Sequence, residues 1–397
     1  MSRRRLRGAL ALVLLILFLA GGCPRKAPRK PVLPLKIGLC VADAARDGNT
    51  VVRLVMSQKA RAEKVRIIFA DAQNDPARQE RELERLVKKE RVKAVVVQFV
   101  DPAAAGGMVR RLREAGVKVV ALETLVPDAP LDAYIASDHA RAGELLGRFV
   151  VESLPGGGTS PARVLFLGGD PDDPGMAAVG AAFRGVLGAY PAVAVTVENV
   201  PRSDPRAVGP LVTGTLDRYG NAVDAVAAAD SRFAVAAVEV LRARGLVGRV
   251  VTAGVGADRR ATDLMSAGQH GAEVDVQPEM LGTAALRAAV DLVRRGEWAY
   301  ETRVATGDFS IPAQIVPVRL IRPANLYLLT ERWRKYGGGA GPDKGSSRSE
   351  GAGGGGGAGK GGKKGAEKKT RLRVTTQDGR TVEIDVPGEV KKIETVK

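Results

Sequence analysis

The sequence predicts an α/β protein made of two doubly wound lobes. Three observations predict it. Short apolar runs alternate with helix-period segments from Leu35 to Leu320. The runs are apolar throughout, the pattern of parallel strands covered on both faces. The rhythm occurs twice, once on each side of Leu131–Pro155, and its strands end in Asp, Glu, Ser or Gly.

In the first half, Leu35–Val41 reads as a buried strand followed by Asp43. Val65–Ala70 is a second strand, and a helix runs from Pro76 to Glu90, with proline acceptable at its start. Ala94–Val97 is a third strand, followed by Phe99 and Asp101; a helix then closes at Gly116. Val117–Leu122 is a fourth strand, followed by Glu123 and Thr124. Ala133–Ala136 leads to Ser137 and to Asp138, whose carboxylate suits the N-cap of the next helix.

The second half repeats the pattern. Val164–Leu167 is a strand, followed by a turn-rich loop holding Asp170, Asp172 and Asp173, and Met176–Tyr190 is helical. Ala192–Val200 and Ala225–Ala228 are strands, the latter ending at Asp230-Ser231. Helices over 205–218 and 232–244, a strand over 250–253 and a short helix to Gly268 follow. Glu273–Val276 leads through Gln277-Pro278 into a long helix ended by Gly296, and Gln314–Leu320 reads as a strand closing the second lobe. The lobes therefore comprise 35–136 with 277–303, and 137–276 with 304–336. Crossings are expected near Ser137, near Val276 and over 303–308. In open α/β sheets ligands sit at the carboxyl ends of strands, so a cleft is expected beside Ser137.

The net charge of +17 belongs to the ends of the chain. Residues 1–36 carry 9 Lys/Arg and no acid, and 331–397 carry 16 Lys/Arg against 9 acids, leaving 37–330 at +1. A nucleic-acid partner is not expected: the folded region has no basic stripe and no helix-turn-helix. Two cysteines make no disulfide framework; Cys40 reads as a buried thiol. His139 and His270, far apart and without a Cys partner, do not suggest zinc. Gly254-Val255-Gly256 lacks the rest of a dinucleotide fingerprint. No cofactor is implied, and with no catalytic constellation an enzyme is not expected.

Arg3, Arg4, Arg5 and Arg7 precede an apolar run over 9–20 and small residues before Cys23. That is the make-up of a signal peptide over 1–22. Twelve apolar residues span roughly 18 Å as a helix, short of the ~30 Å of hydrocarbon. Leu19-Ala20-Gly21-Gly22-Cys23 resembles a bacterial lipobox, making Cys23 a lipidation site and 23–34 an extended tether. At the other end, 337–367 is a Gly/Lys-rich linker, and 368–397 a small β segment with a hairpin turn at 377–380 and a third strand over 390–396.

Taken together, LDAYIASDHARAGELL, NAVDAVAAADSRFAVAAVEVLRARGLVGRVVTAGVGAD, the Gln277-Pro278 turn and the RLIRPANL…ERWRKYG ending resemble periplasmic sugar-binding proteins of ABC importers. The likeness is greatest to the D-xylose-binding branch of the ribose/galactose type. The resemblance implies a type I periplasmic binding protein: two Rossmann-like lobes, three hinge strands, a sugar enclosed on closure, and a permease as partner. It places Asp138 at a family acid and Glu123 at a family Asp whose neighbouring Arg is here Thr124. Asp230 stands at a family Asn, Ser231 at an Asp, Gly256 at an Asp and Gln277 at a Lys. Phe99 and Phe233 are the only candidates for rings stacked on a sugar. The expected ligand-binding set is Asp43, Phe99, Asp101, Glu123, Thr124, Asp138, Asp170, Asp230, Ser231 and Gln277. With no Arg expected among these acids, a cationic or hydroxyl-rich ligand is favoured: a monosaccharide, polyol or amino sugar. The expectation is an exported, membrane-anchored lipoprotein of the periplasm or cell envelope that hands a solute to an ABC importer. The rivals are an envelope sensor or interaction protein on a degenerate sugar-binding scaffold, and a cytosolic sugar-responsive repressor, against which the signal peptide counts.

Overall fold

The computed structural model describes residues 34–337, 369–375 and 381–387. The expectations for 1–33, including Cys23, and for most of 338–397 lie outside the described residues. In the first half run strands β1 (Leu35–Val41), β2 (Val65–Asp71), β3 (Ala94–Val97), β4 (Lys118–Leu122) and β5 (Ala133–Ser137). In the second run β6 (Ala162–Gly168), β7 (Val193–Asn199), β8 (Ala225–Ala228), β9 (Val251–Val255) and β10 (Ala272–Asp275). Then come β11 (Thr302–Thr306), β12 (Phe309–Val316) and β13 (Arg319–Ile321). The first lobe is a seven-stranded sheet, β11-β12-β5-β4-β3-β1-β2, and the second a six-stranded sheet, β13-β10-β9-β8-β6-β7. β1 to β5 pair in parallel, as do β6 to β10; β11 and β13 are antiparallel edges.

The helices are α1 (Asp47–Ala62), α2 (Pro76–Lys88), α3 (Gly106–Glu114), α4 (His139–Ser153) and α5 (Pro174–Leu187). They continue with α6 (Val208–Arg218), α7 (Ser231–Ala243), α8 (Arg259–Ser266), α9 (Pro278–Arg295) and α10 (Tyr327–Tyr336). Each sheet is covered on both faces. Val52, Met56 and Leu281 of α1 and α9 pack on one face of the first sheet, and Leu83, Leu86 and Val109 of α2 and α3 on the other. In the second lobe α4 and α5 cover one face, and α6 and α7 the other. α4 and α5 lie close because a Cβ at Gly143 would collide with the Val179 carbonyl oxygen. Cys40 is a fully buried thiol, and burial pushes it up to about 12.

Asp caps start the helices that face the cleft. Asp75 accepts from the N–H groups of Ala77 and Arg78, Asp138 from Arg141, Asp173 from Gly175 and Met176, and Asp230 from Arg232. α1 escaped the sequence reading for the converse reason: its cap position is Arg46, with no side-chain bond, and Gly48 lies in its first turn.

The chain crosses between the sheets three times. Two crossings, at Ser137-Asp138 and Val276-Gln277, fall where the sequence placed them. The third does not. β12 pairs with β5, Ala313 to Tyr134 through Val316 to Ser137, so residues 304–316 belong to the first sheet. The third crossing is Pro317-Val318, and only β13 returns to the second sheet, against β10. The β11–β12 hairpin lies at the sheet edge and is half-exposed, so it lacks the apolar run that marks a central strand.

By itself, the C-terminal unit contains an antiparallel hairpin of β14 (Lys369–Thr375) and β15 (Thr381–Pro387), close to the expected positions.

Candidate functional site

Between the lobes, at the carboxyl ends of the strands, lies a cavity of ≈ 120 Å³. α1 brings Arg46 and Asn49, β3 Gln98, and β4 Glu123 and Thr124. From the second lobe come His139, Asp173, Asp230-Ser231 and Asp258. Met176, Val52 and Leu281 give it an apolar side.

Near the first crossing the polar groups form a closed set. Glu123 has φ +63°, a left-handed conformation that costs a non-glycine residue energy. The strain is held by its carboxylate, which accepts from the Ser137 N–H (2.8 Å) and hydroxyl (3.0 Å), and by His139 Nε2 at 3.1 Å. Burial pushes Glu123 up, but the His139 bond and charge, with Ser137, bring it below its ordinary value. His139 is held above its ordinary value by Glu123 against the cost of burial. Thr124 turns inward, its hydroxyl accepting from the Phe99 N–H at 2.7 Å. Asn49 donates to Gln98 Oε1 at 2.8 Å.

On the second lobe Asp230 is taken by arginines. Arg232 donates through Nε (3.0 Å) and Nη2 (3.0 Å), and Arg46 of the facing lobe lies 3.6 Å away. Burial raises the Asp230 carboxyl, but the two arginines hold it below the usual carboxylate range. Arg232 also donates to Asp43 across the cleft at 3.0 Å, so Asp43–Arg232–Asp230–Arg46 links the lobes. Asp47 accepts from the Arg259 N–H at 2.9 Å in a second crossing bond. Asp258 differs: the residue is buried, its carboxyl oxygens open onto the cavity, and no described residue donates to them.

The expected site residues divide. Glu123, Thr124, Asp230 and Ser231 line the central cavity. Phe99, Asp101 and Asp170 line an adjoining cavity of ≈ 170 Å³ that shares Thr124, Arg46, Gln98 and Asp173 with the first. There Asp101 accepts from the Ala104 N–H and Asp170 from the Asp172 N–H, both turn bonds. Asp43 lines neither cavity and is an ion-pair partner of Arg232. Asp138 lines neither cavity: its carboxylate is spent on the cap of α4. Gln277 is a hinge residue with φ +54°, and its amide donates to the Pro317 carbonyl at 2.5 Å, joining two crossings. Phe99 borders only the adjoining cavity and Phe233 is buried in the second lobe, so no Phe, Tyr or Trp ring lines the central cavity. The expectation of acids without arginine fails, because Arg46 and Arg232 stand among them. Arg46, Asn49, Gln98, His139, Arg232 and Asp258 went unassigned to the site in the sequence. A usable signal existed for one: Arg232 lies two residues after a strand-end Asp, within reach of it. Near the third crossing, buried Asp275 accepts from Arg332 Nη1 (2.8 Å) and Nη2 (2.7 Å), Arg319 Nε (2.9 Å) and the Gln277 N–H (2.9 Å). Arg332 belongs to α10, so the last described helix is bonded into the hinge.

Comparison with known proteins agrees with this geometry. The D-xylose-binding periplasmic protein of Escherichia coli (strain K12) is 24% identical over 286 residues, which is 71% of this chain and 85% of that protein. The ribose import binding protein RbsB of Bacillus subtilis (strain 168) is 25% identical over 286 residues, 70% of this chain and 90% of that protein. Both are binding proteins, not enzymes. Among solved structures, the Caulobacter myo-inositol binding protein bound to myo-inositol shares the fold with a TM-score of 0.65 at 22% identity, over 75% of this chain and 97% of that one. A galactofuranose binding protein does so with a TM-score of 0.67 at 16% identity, over 77% and 100%. The family model described as a periplasmic binding protein domain matches residues 37–297, and the chain belongs to that family.

Proposed function

We propose that the chain is a solute-binding component of an ABC importer. It captures a small hydroxyl-rich molecule (a monosaccharide, polyol or amino sugar) and passes it to the permease. The observation that carries this reading is the cavity at the strand ends, with walls from both lobes and polar groups on each. Three crossings with left-handed or cross-bonded residues supply a hinge. The relatives named for xylose and ribose support a sugar-like ligand. Ligand binding shifts the lobes toward the closed arrangement, and the permease reads that population. Residues 1–22 direct export and are then removed, and Cys23 carries the lipid anchor.

A thermal-shift screen of the mature chain against pentoses, hexoses, polyols, amino sugars and polyamines tests the reading. A ligand at one hundred times its Kd stabilises by about 2.7 kcal/mol. A second reading, an envelope sensor or interaction protein on a degenerate scaffold, is favoured by one observation: Glu123, Asp230 and Asn49 are already bonded to protein partners. A screen without any hit moves the function to that reading. Metabolic labelling with a fatty acid, lost in Cys23→Ser, tests the anchor.

A further inference from the structure

Four carboxyls line the central cavity, and three are accounted for within the chain. Glu123 is bonded to His139 and Ser137, Asp230 to Arg232, and Asp173 to the N–H groups that open α5. Asp258 is 9% exposed and receives no hydrogen bond from any described residue. It stands at the start of α8 without capping it.

Its loop is held in place from behind. The Asp258 N–H donates to Ser231 Oγ at 3.1 Å. Ala257 is left-handed, φ +57°, and its N–H donates to Glu273 Oε2 at 2.8 Å. Glu273 Oε1 meets His270 Nε2 at 2.9 Å, and His270 Nδ1 meets Thr252 Oγ1 at 2.8 Å, all buried. A fully satisfied buried network thus fixes against the cavity a carboxyl that no described residue bonds and whose oxygens open onto that cavity.

We propose that Asp258 is the specificity-determining residue of this cleft and that the ligand bears a protonated amine seated against it, as an amino sugar or amino polyol does. The inference rests on the solute-capture reading and narrows its ligand. An isolated buried carboxylate is costly unless a donor, and preferably a charge, reaches it. The charges around it do not supply one. Burial opposes its ionisation most, and Asp230 before α7, Asp47 on α1 and Glu273 on β10 add to it; Arg232 acts the other way but is bonded to Asp230 and Asp43. The cavity wall sets Arg46 and His139 against four carboxyls. A ligand hydroxyl can bond the carboxyl but brings no charge to favour its ionisation. An ammonium brings up to three donors and the missing charge.

The test is calorimetric titration of the mature chain near neutral pH with matched pairs: D-glucosamine against D-glucose, D-galactosamine against D-galactose, and N-acetyl-D-glucosamine as the uncharged control. The amine member is expected to bind about tenfold tighter or more than its hydroxyl partner. N-acetylation is expected to abolish that advantage, and Asp258→Asn to erase it while the variant keeps its cooperative melting transition. If neutral members bind as well or better, or Asp258→Asn keeps the preference, the amine inference is overturned and solute capture stands. If no member of any pair binds while the wider screen finds another ligand without an amine, the amine inference falls and solute capture stands; if nothing in the screen binds either, both fall. Should the variant not fold, the N-acetyl comparison on the unaltered chain decides alone.

Discussion

Asp230 and Asp258 follow neighbouring parallel strands, β8 and β9, and both are buried at the mouth of the same cavity. Asp230 holds its charge because two arginines converge on it. Asp258 does not: burial and nearby acids push its carboxyl well above the usual range. Both stand at the start of a helix, but Asp230 caps its helix whereas Asp258, set after left-handed Gly256 and Ala257, does not, and different side chains reach each. Paired acids in this cleft join lobes and fix loops. The unpaired one is left for something from outside. If that division is right, removing a paired acid or its partner damages the fold, whereas removing the unpaired one does not.

The hinge offers the strongest test of the paired class. Asp275 gathers two arginines and a backbone N–H where β10 leads to the second crossing, its neighbour β13 leaves the third, and α10 packs. Asp275→Ala leaves Arg332 buried with Glu279 as its remaining acid. Breaking such a pair costs about 3–5 kcal/mol, to be read as a lowered urea midpoint with an unchanged m-value. A loss under about 1 kcal/mol would refuse Asp275 that role.

Arg232 comes next. Arg232→Ala removes the bridge from Asp43 to Asp230 and leaves Asp230 to Arg46 alone. A loss of about 2 kcal/mol is expected, together with weaker ligand binding, because the cross-cleft bond is gone. Equal stability with unchanged affinity would show that the bridge holds neither lobe nor loop.

A smaller effect comes from Glu123 and His139, through pH. His139 is raised on folding, so its contribution is full below the ordinary histidine value and is lost as pH rises through the higher folded value. Glu123 is lowered, so its contribution is present above the ordinary glutamate value and is lost as pH falls through the lower folded value. The pair therefore stabilises most between roughly pH 4.5 and 6.5 and fades toward alkaline pH. Denaturation at a series of pH values should show that decline, and His139→Gln should flatten it. An identical slope in the variant would separate His139 from the effect.

What was legible in the sequence follows the same physics. The sheets were readable because Ala94–Val97 or Ala225–Ala228 need only be apolar to be central strands, and because Asp75, Asp138, Asp173 and Asp230 announce helix starts. α1 was not, since Arg46 gives no capping signal, and with it went Arg46 and Asn49. The third crossing was misplaced because the edge strand β11 and its neighbour β12 are only partly buried. At the site, strand-end position found the acids and could not say which were neutralised. Pairing joins residues 189 apart, as in Asp43 and Arg232. Asp258 escaped because it lies beyond Gly256, beside the exposed Arg259 and Arg260, where the sequence reads as a solvated helix start.

Asp258→Asn is the smallest expected change and the sharpest, because its sign is opposite. The folded carboxyl is raised, so the native state keeps a proton that the unfolded chain has released. Stability from this group is therefore full below the ordinary aspartate value and is lost as pH rises above it. Asparagine has the same shape and nothing to ionise, so that loss vanishes. Without added solute, the variant should match the parent near pH 4 and exceed it by about 1 kcal/mol near pH 7, the scale of an unsatisfied buried polar group. The gap should widen with pH, opposite to the drop expected for Arg232→Ala in the same loop cluster. A variant less stable than the parent at neutral pH would mean that Asp258 has a partner in the fold, and the distinction between paired and open carboxyls would no longer hold.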